Sequence, residues 1–533
     1  MPYFSGGKSD SFGPLARYLP PTPEGIARAF LAEHIRAGAW VLDPFGACPR
    51  FSVEMARAGA RVLVTASNPI NRFLLDLAAH PPTLADLQAA LAELSAARKE
   101  DDRLETHLQA LYLTQCLQCK RELPAESFLW DSRSGRLTGK IYNCTCGAGG
   151  EQPATAEDEQ LAAQWSRADA LHRSRALGRI APPEDPHRPI AQEALAFYPP
   201  RAVYALGTLI NRLDAIQTSK ERRRCILALL LWAFDAVNSL WPHPIERPRP
   251  RQLILPSVFR ENNVWMALEA AVKALHTEHP PIAHTLWPEE PPESGGLCIY
   301  EGPLRNLAAE LHEIPFRAVM GVLPRPNQAF WTLSALWAGW LWGYEAVGPF
   351  KRVLGRRRYD WNWHAEALQA LFTHLTKHLP AGVPFFGLLT EPEPGFISAV
   401  LHAAGQAGLD LSGLALRGEQ EPLQIHWKTA KNWRRARHPL HPHRTHNILR
   451  QILATRGTPL PYIHLHALAL SAFAVQGVAP APNETLAAYD TAIHTALQNP
   501  EFTDLENRST PETGTWALSQ WKNLGMFEPM PEP

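Results

Sequence analysis

The sequence predicts an α/β protein: two stretches that alternate helix and strand, a long insertion between them, and a helical C-terminal region. In the first stretch, helical spacing over Gly25–Ala37 and Val53–Ala58 alternates with the apolar runs Ala39–Leu42 and Arg61–Thr65, the pattern that builds parallel sheets. The second runs from Gly296 to about Gly413, with Leu297–Tyr300, Ala318–Leu323 and Val383–Leu389 strand-like and Ala365–His378 helical. Between them, polar helices over Leu84–Arg98, Arg103–Thr114 and Ala156–Leu177 are interrupted by a cysteine-bearing segment. This divides the chain into 1–80 and 296–426 as two parts of one sheet domain, 81–222 as a helical insertion, 223–295 as a helical and proline-rich connection, and 427–533 as a basic strip with a helical module.

Composition narrows the classes. The chain has 533 residues, 52 Lys+Arg against 52 Asp+Glu and 45% hydrophobic residues, enough for two to four domains at roughly 100–200 residues each and too apolar for a disordered chain. The balanced charge gives no whole-molecule attraction to polyanions, so nucleic-acid binding needs a local patch. Seven cysteines and 49 prolines argue against a disulfide scaffold and against long unbroken helices. MPYFSGGKSDSFGP has no apolar signal core. The apolar stretches Cys225–Trp241, which holds Asp235, and Ala329–Tyr344 are short for a span of about 20 residues and read as buried helices. A soluble, cytoplasmic protein without membrane contact is expected.

The first chemical signal is Val41-Leu42-Asp43-Pro44-Phe45-Gly46, a strand ending in a tight turn into a helix. In open α/β sheets, ligands sit at such carboxyl ends. A second strand ends in Ala66-Ser67-Asn68-Pro69. At these residues the chain resembles the amino-directed DNA methyltransferases, which methylate N6 of adenine or N4 of cytosine. The resemblance implies a Rossmann-like, S-adenosylmethionine-dependent methyltransferase sheet, with Asp43, Pro44, Phe45, Gly46 and Asn68 at the cofactor. It also marks two departures. Ala47-Cys48-Pro49 replaces a glycine-rich turn, and Pro49 lacks an N–H. Ala66 stands where an acid would hold the ribose, a charge-assisted bond of about 1.5–3 kcal/mol.

The family's catalytic turn, (Asp/Asn)-Pro-Pro-(Tyr/Phe), offers a side-chain oxygen and a proline carbonyl to the amine of a flipped base and stacks the base on the aromatic ring. The matching place here is Leu323-Pro324-Arg325-Pro326-Asn327-Gln328-Ala329-Phe330, followed by Leu333-Ser334-Ala335-Leu336-Trp337. Phe259–Trp265 and the helix and strand over 365–389 add to the likeness. Leucine cannot accept from an amine, so Pro324, Pro326, Asn327 and Phe330 are the candidates, with Asn327 as oxygen in a shifted register and Phe330 as stacking ring. Trp331, Trp337, Trp340 and Trp342, at helical spacing, are expected in the core.

Cys116-x2-Cys119 and Cys144-x-Cys146-Gly147 have the spacing of a zinc ribbon over 116–147. Four protein ligands leave no position for a water, so a structural Zn is expected. Cys48, Cys225 and Cys298 read as core residues. Residues 428–450 hold seven cations and no acid; Lys428, Lys431, Arg434, Arg435 and Arg437, interleaved with Trp427 and Trp433, suit phosphate contact, with a solvated loop the plain alternative. His438, His441, His443 and His446 lack a metal-binding helical spacing, and His446–Phe473 has the look of two helices of a winged-helix module. Arg222–Arg224 and Arg356–Arg358 read as solvated faces. The expectation is a DNA methyltransferase-like protein with DNA as partner, or a catalytically inactive relative that binds nucleic acid or a partner; the sequence does not give the oligomeric state.

Overall fold

The computed structural model describes residues 2–7, 15–245, 249–307, 310–354, 360–430, 438–508 and 514–520. Eight strands form its central sheet: β1 (Trp40–Asp43), β2 (Arg61–Thr65), β3 (His284–Leu286), β4 (Gly296–Tyr300), β5 (Phe316–Val322), β6 (Pro384–Leu389), β7 (Leu409–Ala415) and β8 (Leu423–Thr429). Their spatial order is β3-β4-β2-β1-β5-β6-β8-β7. All pairings from β3 to β6 are parallel, and β8 runs antiparallel between β6 and β7. The central strands are largely apolar, with polar residues near their ends, because helices cover both faces. Val41, Val62, Ala318, Met320 and Phe386 face the helices Ile26–His34, Pro49–Arg57 and Pro69–Ala79. Trp40, Leu42, Leu63, Val319 and Phe385 face Trp361–His378 and Pro394–Gln406.

The insertion is not a separate body. Its helices Leu84–Ala96, Pro200–Ala215, Lys220–Ala236 and Val264–Leu275 share one core with Gln328–Trp342, the helix that follows β5. The cysteine-bearing part is built on a second, antiparallel sheet of 258–262, 127–131, 136–143 and 149–153, in that order. A buried ion pair fastens this sheet to the helices. Arg201 Nη2 lies 2.7 Å from Glu261 Oε2, both side chains are 1% exposed, and Trp130 Nε1 donates to the same carboxylate at 2.6 Å.

Several expectations need correction. The helix read as starting at Val53 starts at Pro49, a residue suited to the first helical position. Arg103–Thr114 is helical only over Leu104–Ala110, and 113–115 is a strand. Trp427 and Lys428 belong to β8: Trp427 is buried against Phe385 and Phe372, so it does not interleave an exposed strip. Arg222–Arg224 is no solvated face. Arg222 donates to the Asp86 carbonyl, Arg223 to that of Leu213, and Arg224 pairs with Asp76, tying helices together. Trp337 and Trp340 are in the core as expected, whereas Trp342 is 37% exposed and packs edge-on to Phe73.

The C-terminal region is not helical alone. Helices Pro442–Arg456, Tyr462–Gln476 and Ala487–Gln498 accompany a small sheet in which 515–518 pairs with 460–461 and 505–507. Among the described residues no helix is long and apolar enough to cross a membrane.

Removing one member of the buried Arg201–Glu261 pair strands the other charge. Arg201→Met is expected to destabilise the fold by about 3–5 kcal/mol, read as a lowered denaturation midpoint; an unchanged midpoint refutes the fastening role.

Candidate functional site

Because β1, β2, β4, β5 and β6 run parallel, the turns that follow them share one edge of the sheet. The Asp43 and Pro324 turns are immediate neighbours there, since β1 pairs with β5 in register Leu42↔Val319. The approach is close enough that a Cβ at Gly321 would meet the Phe45 ring at 2.8 Å and Asp43 Oδ1 at 3.0 Å. The first turn is shaped by the Asp43 carboxylate. Phe45 N and Gly46 N donate to Oδ1 at 3.0 and 3.1 Å, and Ser52 Oγ donates to Oδ2 at 2.7 Å. Burial pushes the Asp43 carboxyl above its ordinary range, and these donors partly oppose that rise. Gly46 has φ +53°, and a Cβ there would stand 2.9 Å from the Thr65 carbonyl. Thr65 Oγ1 donates to the Pro44 carbonyl at 2.7 Å. Asn68 caps the next helix through Ile70 N at 2.8 Å.

These residues are therefore brought together, but their polar atoms are engaged in the turn itself. Pro49 sits at the start of its helix without a donor, and Ala66 is a buried methyl at the end of β2. The Arg249 guanidinium, within electrostatic reach of Cys48, is driven down by burial from its ordinary value. At the two positions where the resemblance expects donors for S-adenosylmethionine, the residues do not fit: Ala66 offers no carboxylate and Pro49 no amide.

The second turn is closed in the same way. Leu323 is 2% exposed, its amide donating to the Leu388 carbonyl at 2.9 Å. Arg325 pairs with Glu393 and lies 3.5 Å from Glu391, which also pairs with Arg249 and, at 3.4 Å, with Arg251. Three guanidiniums and two carboxylates thus lie across the rim. Asn327 is buried and uses Oδ1 to cap its helix, accepting from Phe330 N at 2.9 Å. Phe330 points into the core and stacks on Tyr18, ring centroids 5.9 Å apart. Pro324 and Pro326 are half-buried. His364, which the sequence did not single out, reaches the Pro324 carbonyl; burial drives its ring down to about 4, so it is neutral at physiological pH. Its only signal in the sequence is the Asp360 helix cap that sets where Trp361–His378 begins.

The cysteines form the most complete site. Cys116, Cys119, Cys144 and Cys146 place all four sulfurs within 4.8 Å of one another. The closest pairs are Cys119–Cys144 at 3.5 Å and Cys116–Cys146 at 3.7 Å. A tetrahedron with Zn–S bonds of about 2.3 Å has edges of roughly 3.8 Å, so the four could bind a metal ion such as zinc. The first knuckle closes a hairpin of 113–115 and 122–124, where Cys116 N donates to the Arg121 carbonyl at 3.0 Å. The second closes the turn before 149–153, where Cys144 N donates to the Ala148 carbonyl at 2.8 Å. The Cys119 amide holds the Cys116 thiol down to about 6. At Cys146 the Ala148 amide pulls the same way but is outweighed by the neighbouring sulfurs, which raise that thiol to about 11. Four sulfurs this close cannot all ionise without a cation among them.

Of the basic strip, Lys428 is exposed on β8, and Lys431, Arg434, Arg435 and Arg437 lie outside the described residues, as do Trp433 and Arg356–Arg358. Comparison with models of known protein families, with curated proteins and with solved structures finds no match.

Purified protein is expected to carry about one zinc per chain by metal analysis, and Cys119→Ser with Cys146→Ser to abolish it. A metal content near zero in the unaltered protein discards the site.

Proposed function

We propose that this chain is a methyltransferase-type scaffold without amino-methylating activity that works as a nucleic-acid-binding protein, its four-cysteine cluster holding a structural zinc. The observation that carries the reading is the turn after β5. Where the amino-directed family offers two acceptors, this chain offers the hydrocarbon of Leu323, turned into the core, and a Pro324 carbonyl already met by His364. An exocyclic amine brought here finds no side-chain oxygen at position 323, and the neighbouring Glu391 and Glu393 carboxylates are taken up by arginines; methyl transfer to an amine depends on such positioning.

The scaffold half of the proposal draws on topology. Six strands are parallel; with the three-residue edge strand β3 set aside, β1, β2, β4, β5 and β6, numbered along the chain, stand in the spatial order 3-2-1-4-5, the doubly wound arrangement whose ligand edge lies where the order reverses, beside β1. Both resemblance motifs fall on that edge. The binding half draws on charge: the neutral chain concentrates seven cations without an acid in 428–450, the local patch that phosphate contact requires.

Two measurements test the halves separately. Calorimetry with millimolar S-adenosylmethionine is expected to give no binding heat, and labelled methyl transfer to DNA none above background; micromolar binding, or labelled DNA, overturns the non-catalytic reading. For the binding half, replacing Arg434 and Arg435 together is expected to weaken DNA binding and to reduce the slope of log affinity against log salt by roughly two. Unchanged affinity and slope reject phosphate contact by the strip.

A further inference from the structure

We infer that residues 438–518 form a winged helix-turn-helix module whose third helix, Ala487–Gln498, enters the major groove of duplex DNA. The inference rests on the nucleic-acid reading above and assigns its surface. Along the chain the module runs helix 442–456, strand 460–461, helix 462–476, helix 487–498, then strands 505–507 and 515–518, with 515–518 in the middle of the antiparallel sheet. Helices 462–476 and 487–498 then stand as the helix-turn-helix pair, of which the second is the reading helix.

The third helix has the two faces this role needs. Tyr489, Ile493, Ala496 and Leu497 are buried, and Asp490, its one acidic residue, is turned to the buried His466 at 2.6 Å. The outer stripe is Thr491, His494, Thr495 and Gln498, all exposed; His494 is stacked on Tyr462 of the preceding helix, its Nε2 3.1 Å from that hydroxyl, so Thr491, Thr495 and Gln498 are the groups left to face a base. A helix face that merely meets water is normally rich in Lys, Glu and Arg. This one carries none, and presents instead groups that donate and accept. Gln suits the N6/N7 edge of adenine and Thr suits several base edges.

The neighbouring chain supplies the rigidity. The cationic run that starts at Lys428 on β8 ends at His438, whose backbone is tied to the turn between the two helices: His438 N donates to the Gly477 carbonyl at 2.9 Å, and Ala479 N donates to the His438 carbonyl at 3.0 Å. The start of the reading helix is fixed to the sheet domain, Leu486 N donating to Asn362 Oδ1 at 2.8 Å. Three carboxylates lie beside that start: Asp360 caps its helix by accepting from Trp363 N, Glu484 closes a turn by accepting from Ala481 N, and Glu366 lines the same cavity as these two; none belongs to the outer stripe.

The test is selection of sites by the full chain from a randomised duplex pool, followed by fluorescence anisotropy on a selected duplex, an unrelated duplex and the matching single strand. A preferred site is expected. Gln498→Ala with Thr495→Ala should weaken binding to it by about tenfold, the worth of one lost base contact, leaving the unrelated duplex and the melting temperature unchanged; both side chains are exposed, and the melting temperature checks that the variant folds. If the variant keeps the preference and affinity of the parent, the third helix is not the reader, although nucleic-acid binding stands. Equal affinity for duplex and single strand, or no selected site, also overturns the inference. No binding to any of the three at low salt overturns it together with the nucleic-acid reading.

Discussion

The parallel pairing of β1 with β5 is the constraint on which the rest of the molecule depends. Trp40 lies opposite Phe316, so two segments separated by the entire insertion must close one sheet. Once they do, parallel geometry delivers the Asp43 and Pro324 turns to the same edge, and the tight fit of Gly321 against Phe45 and Asp43 locks their register. The insertion cannot drift away from this join. Its helices and the helix leaving the Pro324 turn bury their apolar faces in the same core, so the ends of β5 and the cysteine-bearing sheet are mechanically one piece.

What could be read from the sequence follows from where burial is two-sided. β1, β2, β4, β5 and β6 are apolar runs because helices cover them on both faces, and each was recognisable as a strand. β7 was missed because it is the edge strand and mostly half-buried; β8, an inner strand buried except at Lys428, was missed because Gln424 and His426 interrupt its apolar residues and Trp427-Lys428-Thr429 by composition belongs with the cations after it. The short β3 edge strand carries no pattern at three residues. The cysteine pairs were visible because metal ligands need a fixed local spacing, whereas the Arg201–Glu261 pair, two residues far apart in the chain, has no such signature.

The candidate site divides along the same line. Departures from a motif are visible one residue at a time, and Leu323, Pro49 and Ala66 could each be noted without coordinates. What stands in place of the motif's residues could not. The capping role of Asn327, the burial of Phe330 against Tyr18, and the arrival of His364 at the Pro324 carbonyl all depend on helices placed by tertiary packing. Arg325 illustrates the point: in the sequence it is a misplaced cation, and in the fold it is one arm of an ionic closure with Glu391 and Glu393.

That closure also bears on where a polyanion can approach. The three arginines at the sheet edge are matched by two carboxylates, and Arg249 and Arg325 are nine-tenths buried, so their field is largely cancelled before it reaches solvent. Exposed charge is attenuated over about 8–10 Å at physiological salt, which leaves the attraction of phosphates to cations that are neither paired nor buried. The run 428–450 has no acid within its own sequence; of its described cations, Arg450 pairs with Asp504 and Lys428 stands opposite Asp410 in the sheet. On the binding function proposed above, the polyanion is held by this run and not at the sheet edge, where two of the three arginines are buried against carboxylates.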